Sequence, residues 1–176
     1  MRATPARPAS LTEIDLRAEL AQGHLESHAW AVRCCRGDAM EAEDVLHRAY
    51  MKVLDGEARF SGRSSFKTWL FGVIRRTARE EARQSWLRLL RLERWWHTRA
   101  PNEEQDITDD DRVPRLRKTL DQLSRRQQEV LHLVFYQDLT IQEAAEVLAM
   151  PVGTARTHYE RGKERLRQLL ERPEQR

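Results

Sequence analysis

The stretch DLTIQEAAEVLAMPVGTARTHYERGKERLRQLL, residues 138–170, decides the fold of the C-terminal half. Its periodicity predicts two helices with a sharp break between them. Thr140 is placed to cap the first, and Glu143, three residues on, takes the capping-box position. Ala144, Ala145, Val147 and Leu148 then make an apolar face, with alanines small enough for a second helix axis to come close. Met150-Pro151 is expected to stop that helix, because proline restricts the residue before it and lacks an N–H for the ladder. Gly153-Thr154 opens the second helix, whose apolar side runs through Tyr159, Leu166, Leu169 and Leu170. Between them stand Arg156, Thr157, His158, Arg161 and Lys163. Two short helices joined by a tight turn, the second basic and hydroxyl-bearing at its start, describe a helix-turn-helix with a recognition helix. The same pattern also fits a helical hairpin whose charged face is merely solvated.

Working outward, the 176 residues hold one ordinary domain or two small ones, and 34% charged residues with only seven glycines and six prolines suit a helical protein. No apolar run approaches the ~20 residues of a membrane span. MRATPARPAS at the N-terminus lacks the apolar core of a signal peptide, so a cytoplasmic location without membrane insertion is expected. Cys34 and Cys35 are adjacent and alone, which is no disulfide framework. The net charge of +3 conceals strong patterning: residues 57–99 carry 11 Lys+Arg against 4 Asp+Glu, whereas residues 100–113 carry 1 against 6. A basic block, then an acidic one, then the mildly basic C-terminal segment suggest separate polyanion contacts divided by something that avoids them.

Taken in order, residues 1–10 read as a disordered start, and a helical pattern from Leu11 through Leu16, Leu20, Trp30 and Val32 is broken at Gly37. Asp38 is placed to cap the next helix, with Glu41 three residues later. Val45, Leu46, Ala49, Met51, Val53 and Leu54 form its stripe, and Asp55-Gly56 closes it. The loop Phe60 to Ser65 follows. Ser65 or Thr68 then caps a third helix, with Phe66, Trp69, Leu70, Val73 and Ile74 on one side and Lys67, Arg75, Arg76, Arg79 and Arg83 on the other. Aromatics interleaved with cations suit single-stranded nucleic acid, since rings stack on bases while cations hold phosphates. Phe66 and Trp69 also fit a purely structural core role. The stripe Trp86, Leu89, Leu92, Trp96 extends the helical pattern, and it fits a core-facing stripe, a partner-binding helix or a membrane-surface helix. PNEEQDITDDDRVP, 101–114, is acidic, proline-bounded and apolar-poor, hence a linker. After it, Leu116, Leu120, Leu123, Val130, Leu131, Leu133, Val134 and Phe135 supply a second helical core, with Ser124 and Gln127 placed as a cap.

Three blocks in order resemble the extracytoplasmic-function (group 4) sigma factors of the sigma-70 family. RGDAMEAEDVLHRAYMKVL (36–54) is similar to region 2.1–2.2, FSGRSSFKTWLFGVIRR (60–76) to regions 2.3–2.4, and residues 120–170 to region 4. Thr77, Glu81, Ser124-Arg125 and His158 depart from the family's usual residues. The resemblance implies an all-α protein with region 2 over residues 11–99, an acidic linker over 100–113 and region 4 over 114–176. It implies promoter recognition without catalysis, cofactor or metal. The partners would be core RNA polymerase (clamp helices of the largest subunit, flap of the second-largest), duplex and melted promoter DNA, and an anti-sigma factor. Thr154, Arg156, Thr157, His158 and Arg161 would read the minus-thirty-five element. Phe60, Arg63, Ser64, Ser65, Lys67, Trp69, Arg75, Arg76 and Arg79 would hold the melted minus-ten strand. Asp44, His47, Arg48, Met51 and Lys52 would meet the polymerase clamp. Three readings from other classes stand beside this one, of which an enzyme finds no phosphate-binding glycine loop, nucleophile elbow or HExxH motif in the sequence. His24, His28, Cys34, Cys35 and His47 are the ligand types of a zinc or redox sensor, although without C-x2–4-C spacing. A helix-turn-helix repressor would need no polymerase but would leave the FKTWL block unexplained.

Overall fold

The computed structural model describes residues 13–92, 120 and 122–171, and among these the regular elements are helical throughout. The N-terminal half contributes α1 (Glu13–Gln22), α2 (His24–Cys34), α3 (Ala39–Leu54) and the long α4 (Phe66–Leu92). At 1.5 Å per residue α4 extends about 40 Å. The C-terminal half contributes α5 (Arg125–Leu131), a π-turn (His132–Tyr136), α6 (Ile141–Val147) and α7 (Val152–Glu171). Residues 1–10, the acidic segment 100–113, Leu116 and Trp96 lie outside the described residues.

Local signals set most of the boundaries. The Asp38 side chain accepts from the Glu41 N–H at 2.9 Å. Ser65 Oγ accepts from the Thr68 N–H at 3.1 Å, so it is Ser65 that caps α4. Both capping boxes form, at Ser124/Gln127 and at Thr140/Glu143. The expected single helix from Leu11 to Gly37 is instead two, broken at Gly23, whose N–H still bonds the Glu19 carbonyl at 3.1 Å. The break before the recognition helix also comes earlier than Met150-Pro151. α6 ends at Val147, Ala149 takes a left-handed φ of 47°, and the Ala149 and Met150 N–H groups bond the Glu146 and Ala145 carbonyls. That is a Schellman ending with alanine where glycine is usual. Pro151 then serves α7 through its carbonyl, which accepts from Thr154 and Ala155.

Three helices, α2, α3 and α4, pack on one another, α7 packs on α5 and α6, and α6 lies against α4. One apolar cluster therefore runs through both halves. Trp30, Val45, Phe71 and Ile74 belong to it from the N-terminal side, and Val130, Leu133, Ala144 and Leu148 from the other. Phe135, expected in the second core, is instead 62% exposed. The π-turn explains this: its Gln137 N–H reaches back to the His132 carbonyl at 3.1 Å, and the widened turn sends Leu133 inward and Phe135 and Tyr136 outward.

α5 and α7 come close together at Gly162. A Cβ there would stand 3.0 Å from Leu131 Cδ1 and 3.3 Å from Gln127 Cβ. Gly162→Leu is expected to destabilise the C-terminal half by about 1–3 kcal/mol through overpacking. Urea unfolding followed by circular dichroism measures this, and an unchanged midpoint would contradict so tight a contact.

Candidate nucleic-acid interface

The first surface is built on α4 and the loop before it. Phe60, Phe66 and Trp69 form a half-exposed cluster with ring centroids 5.3–5.6 Å apart. The Ser65 cap fixes the start of α4 under it, and Arg59 Nε donates to the Gly56 carbonyl at 3.2 Å, which braces the loop. Beside Trp69 a cleft of about 270 Å³ opens between Arg59, Thr68, Gly72 and Arg76. A second cleft of about 470 Å³ is lined by Arg75, Arg76, Arg79 and Arg83 and faced by Glu146. The spacing of these arginines puts them on one side of the helix. Arg76, Arg79 and Arg83 are exposed, as are Arg63 and Ser65, with Ser64 partly covered. Rings beside guanidinium groups at this spacing suit stacked bases with phosphates alongside.

Two residues assigned to this surface from sequence are otherwise engaged. Arg75 is 5% exposed, and its Nη2 donates to Glu129 Oε2 at 3.4 Å. Burial holds its guanidinium below the usual arginine range, an effect that the Glu129 charge opposes. Lys67 Nζ donates to the Gln137 carbonyl and pairs with Glu26, both at 2.9 Å, while lying over the Phe71 ring. Thr77, on the same helix, is 1% exposed and faces inward.

The second surface is the start of α7. Thr154, Arg156, Thr157 and Arg161 are exposed, while Ala155 is fully buried against the preceding helices. Thr157 Oγ1 donates to the Gly153 carbonyl at 2.9 Å. His158 is half-buried, close to the packed side. The Thr140 cap steadies α6 beneath: backbone N–H and hydroxyl of Thr140 both donate to Glu143 Oε2, at 2.9 and 2.8 Å, which holds the Glu143 carboxyl below the usual range.

The third surface is on α3, where Asp44, His47 and Met51 are exposed along one side. Arg48 pairs with Glu81, and Lys52 Nζ reaches Glu80 at 2.5 Å, so both cations tie α3 to α4. Sequence reasoning missed Met40, 78% exposed at the mouth of a groove of about 350 Å³ that Asp44, Arg48 and Glu81 also line. Its place four residues before Asp44 is the signal that would have found it.

Cys34 and Cys35 are both buried, and burial pushes both thiols up, Cys35 to about 12. Among the described residues no three His, Cys, Asp or Glu side chains are grouped as metal ligands.

Comparison with known proteins matches both halves. Residues 22–88 match the family described as Sigma-70 region 2, and residues 114–166 match Sigma-70, region 4. The chain is 33% identical over 141 residues to the ECF RNA polymerase sigma factor SigX of Bacillus subtilis (strain 168), covering 76% of this chain and 73% of that one. It is 25% identical to the ECF RNA polymerase sigma factor SigC of Mycobacterium tuberculosis (strain CDC 1551 / Oshkosh), with 94% of each chain covered. In fold it resembles the sigma factor RpoE in its complex with the anti-sigma factor NepR from Bartonella quintana. There the TM-score is 0.70 at 22% identity, over 91% of this chain and 99% of that one.

Proposed function

The chain belongs to the sigma-70 family, in its extracytoplasmic-function group, and from that premise we propose how its surfaces divide the work of an initiation factor that directs core RNA polymerase to promoters. The unit over residues 11–99 holds polymerase and the melted minus-ten strand, and the unit over 114–176 reads the minus-thirty-five duplex. The acidic segment 100–113 joins them and is kept off the DNA by its charge. Thr154, Arg156, Thr157 and Arg161 enter the major groove from the start of α7, and His158 supports them from the packed side. Phe60 and Trp69 stack on unpaired bases, while Arg63, Ser64, Ser65, Arg76 and Arg79 follow the strand. Asp44, His47 and Met51 meet the polymerase clamp, and Arg48 and Lys52 orient α3 through α4. The chain works by binding, without catalysis, in the cytoplasm. An anti-sigma factor restrains it, a reading supported by its likeness in fold to a sigma factor solved with one.

The observation that carries this reading is the aromatic cluster beside the exposed arginine row, on a chain whose other half exposes a basic helix-turn-helix. A repressor acting alone would use only the second. The test is run-off transcription with purified core polymerase. Arg156→Ala is expected to lower initiation roughly tenfold or more at promoters with a minus-thirty-five element, since a bidentate base contact is worth about 1–3 kcal/mol. Trp69→Ala is expected to weaken strand opening by a comparable factor, because stacking contributes about 1–3 kcal/mol per base. Wild-type protein that binds duplex promoter but never initiates with polymerase would return the repressor reading.

A further inference from the structure

The outward side of α7 is not uniformly basic. Helical residues advance by about 100°, so Gly153 and Thr157 both lie roughly opposite Ala155 and Gly162, which are buried on the packed side. The middle of the exposed side therefore holds a glycine and a threonine, with Arg156 and Arg161 to either side.

Thr157 Oγ1 donates its only proton to the Gly153 carbonyl at 2.9 Å, one turn back. A hydroxyl so engaged has no hydrogen left for guanine O6 or N7, adenine N7 or thymine O4. The side chain branches at Cβ, and with one arm folded back on the helix the other, a methyl, is free to leave it. A Cβ added at Gly153 would meet nothing within 4 Å, so the helix surface beside that methyl is bare. Such an apolar spot, without a donor and flanked by cations, has one counterpart on the major-groove edges of the four bases: the C5-methyl of thymine. We infer that Thr157 determines specificity by packing its methyl on the C5-methyl of one thymine in the minus-thirty-five element, while Arg156 and Arg161 beside it supply polar contacts. This role rests on the reading of α7 as the helix that enters the major groove. Burial of one methyl group corresponds to about fourfold in affinity.

The test is run-off transcription by core polymerase with the full chain, on promoters in which each thymine of the minus-thirty-five element, on either strand, is replaced in turn by uracil. Uracil keeps every hydrogen-bonding group of thymine and lacks only the methyl. The readout is the thymine-to-uracil ratio of initiation at sub-saturating protein, for wild type, Thr157→Ser and Thr157→Val. Any effect of uracil on the duplex itself is common to the three proteins and cancels between them. Wild type is expected to favour thymine about fourfold at one position. Thr157→Ser keeps the hydroxyl and drops the methyl, and should bring that ratio to about one. Thr157→Val keeps a methyl and drops the hydroxyl, and should retain the preference. No thymine preference at any position, a preference that survives Thr157→Ser, or one lost in Thr157→Val would overturn the inference. Arg156→Ala separates these outcomes from failure of the promoter reading. Initiation that depends on Arg156 yet ignores every thymine methyl removes the role of Thr157 alone, whereas the absence of polymerase-dependent initiation removes both.

Discussion

Trp30→Ala is expected to cost about 4 kcal/mol of folding stability, the scale of a buried tryptophan truncation. Trp30 is fully buried, and its ring stacks on Phe71 with centroids 6.0 Å apart and stands 5.5 Å from the His132 ring. Its Nε1 donates to the Phe71 carbonyl at 3.0 Å, a group that α4 also carries into the core. Alanine would leave a cavity between α2 and α4 and strip the Phe71 carbonyl of the bond it accepts in addition to its helix partner. Against a total of about 5–15 kcal/mol for a domain, such a loss brings the chain close to unfolding at room temperature. Because the same ring touches the C-terminal half, probes placed in either half should report the loss in urea melts. A cost below about 1 kcal/mol, or a transition confined to one half, would refute the shared core.

Acid is expected to have the next largest effect, through His132. Burial pulls this imidazole down to about 4, with the Arg33 charge adding to the effect. Its ring stacks against Tyr136 and lies 3.2 Å from Gln137 Nε2, an arrangement that suits a neutral ring nitrogen accepting a hydrogen bond. Unfolded, the group titrates near 6.5, so between pH 6.5 and 4 the unfolded chain holds the extra proton. Stability therefore rises with pH through that window: full above about 6.5, it declines as the pH falls and this contribution is exhausted near 4. The difference is on the order of 3 kcal/mol. Urea midpoints at neutral and acid pH, compared with those of His132→Phe, isolate it, since Phe keeps a ring but takes no proton. Equal acid sensitivity of the two proteins would rule it out. The Glu143 cap also weakens in acid, as its depressed carboxyl is protonated, but it does so alike in both proteins.

What was legible in the sequence was chiefly local. Asp38, Ser65, Ser124 and Thr140 cap helices because a side-chain oxygen need reach only three residues along the chain. The recognition helix was legible because its inward positions, the buried Ala155 and Gly162 and the half-buried Tyr159 and Leu166, follow a 3.6-residue period. The arginine row of α4 was legible for the same reason. Properties that depend on distant partners were not. Nothing beside Arg75 distinguishes it from Arg76; its burial is decided by Glu129, in another helix. The Gly23 break was hidden because the apolar spacing continues across it, from Leu20 to Trp30. Phe135 was misassigned because a 3.6-residue period was carried through a stretch that winds more widely.

That wider winding turns residue number into geometry. A π-turn holds about one residue more than the α-turn it replaces. Losing any one residue from His132–Tyr136 would let α5 continue at its ordinary pitch. Everything after it would then rotate by about 100° about that axis. Gln137 would swing off the Glu26 carbonyl, and α6 would lose its seat on α4. The count of residues in this short joint, as much as their identity, sets the angle at which the DNA-reading half meets the rest of the chain.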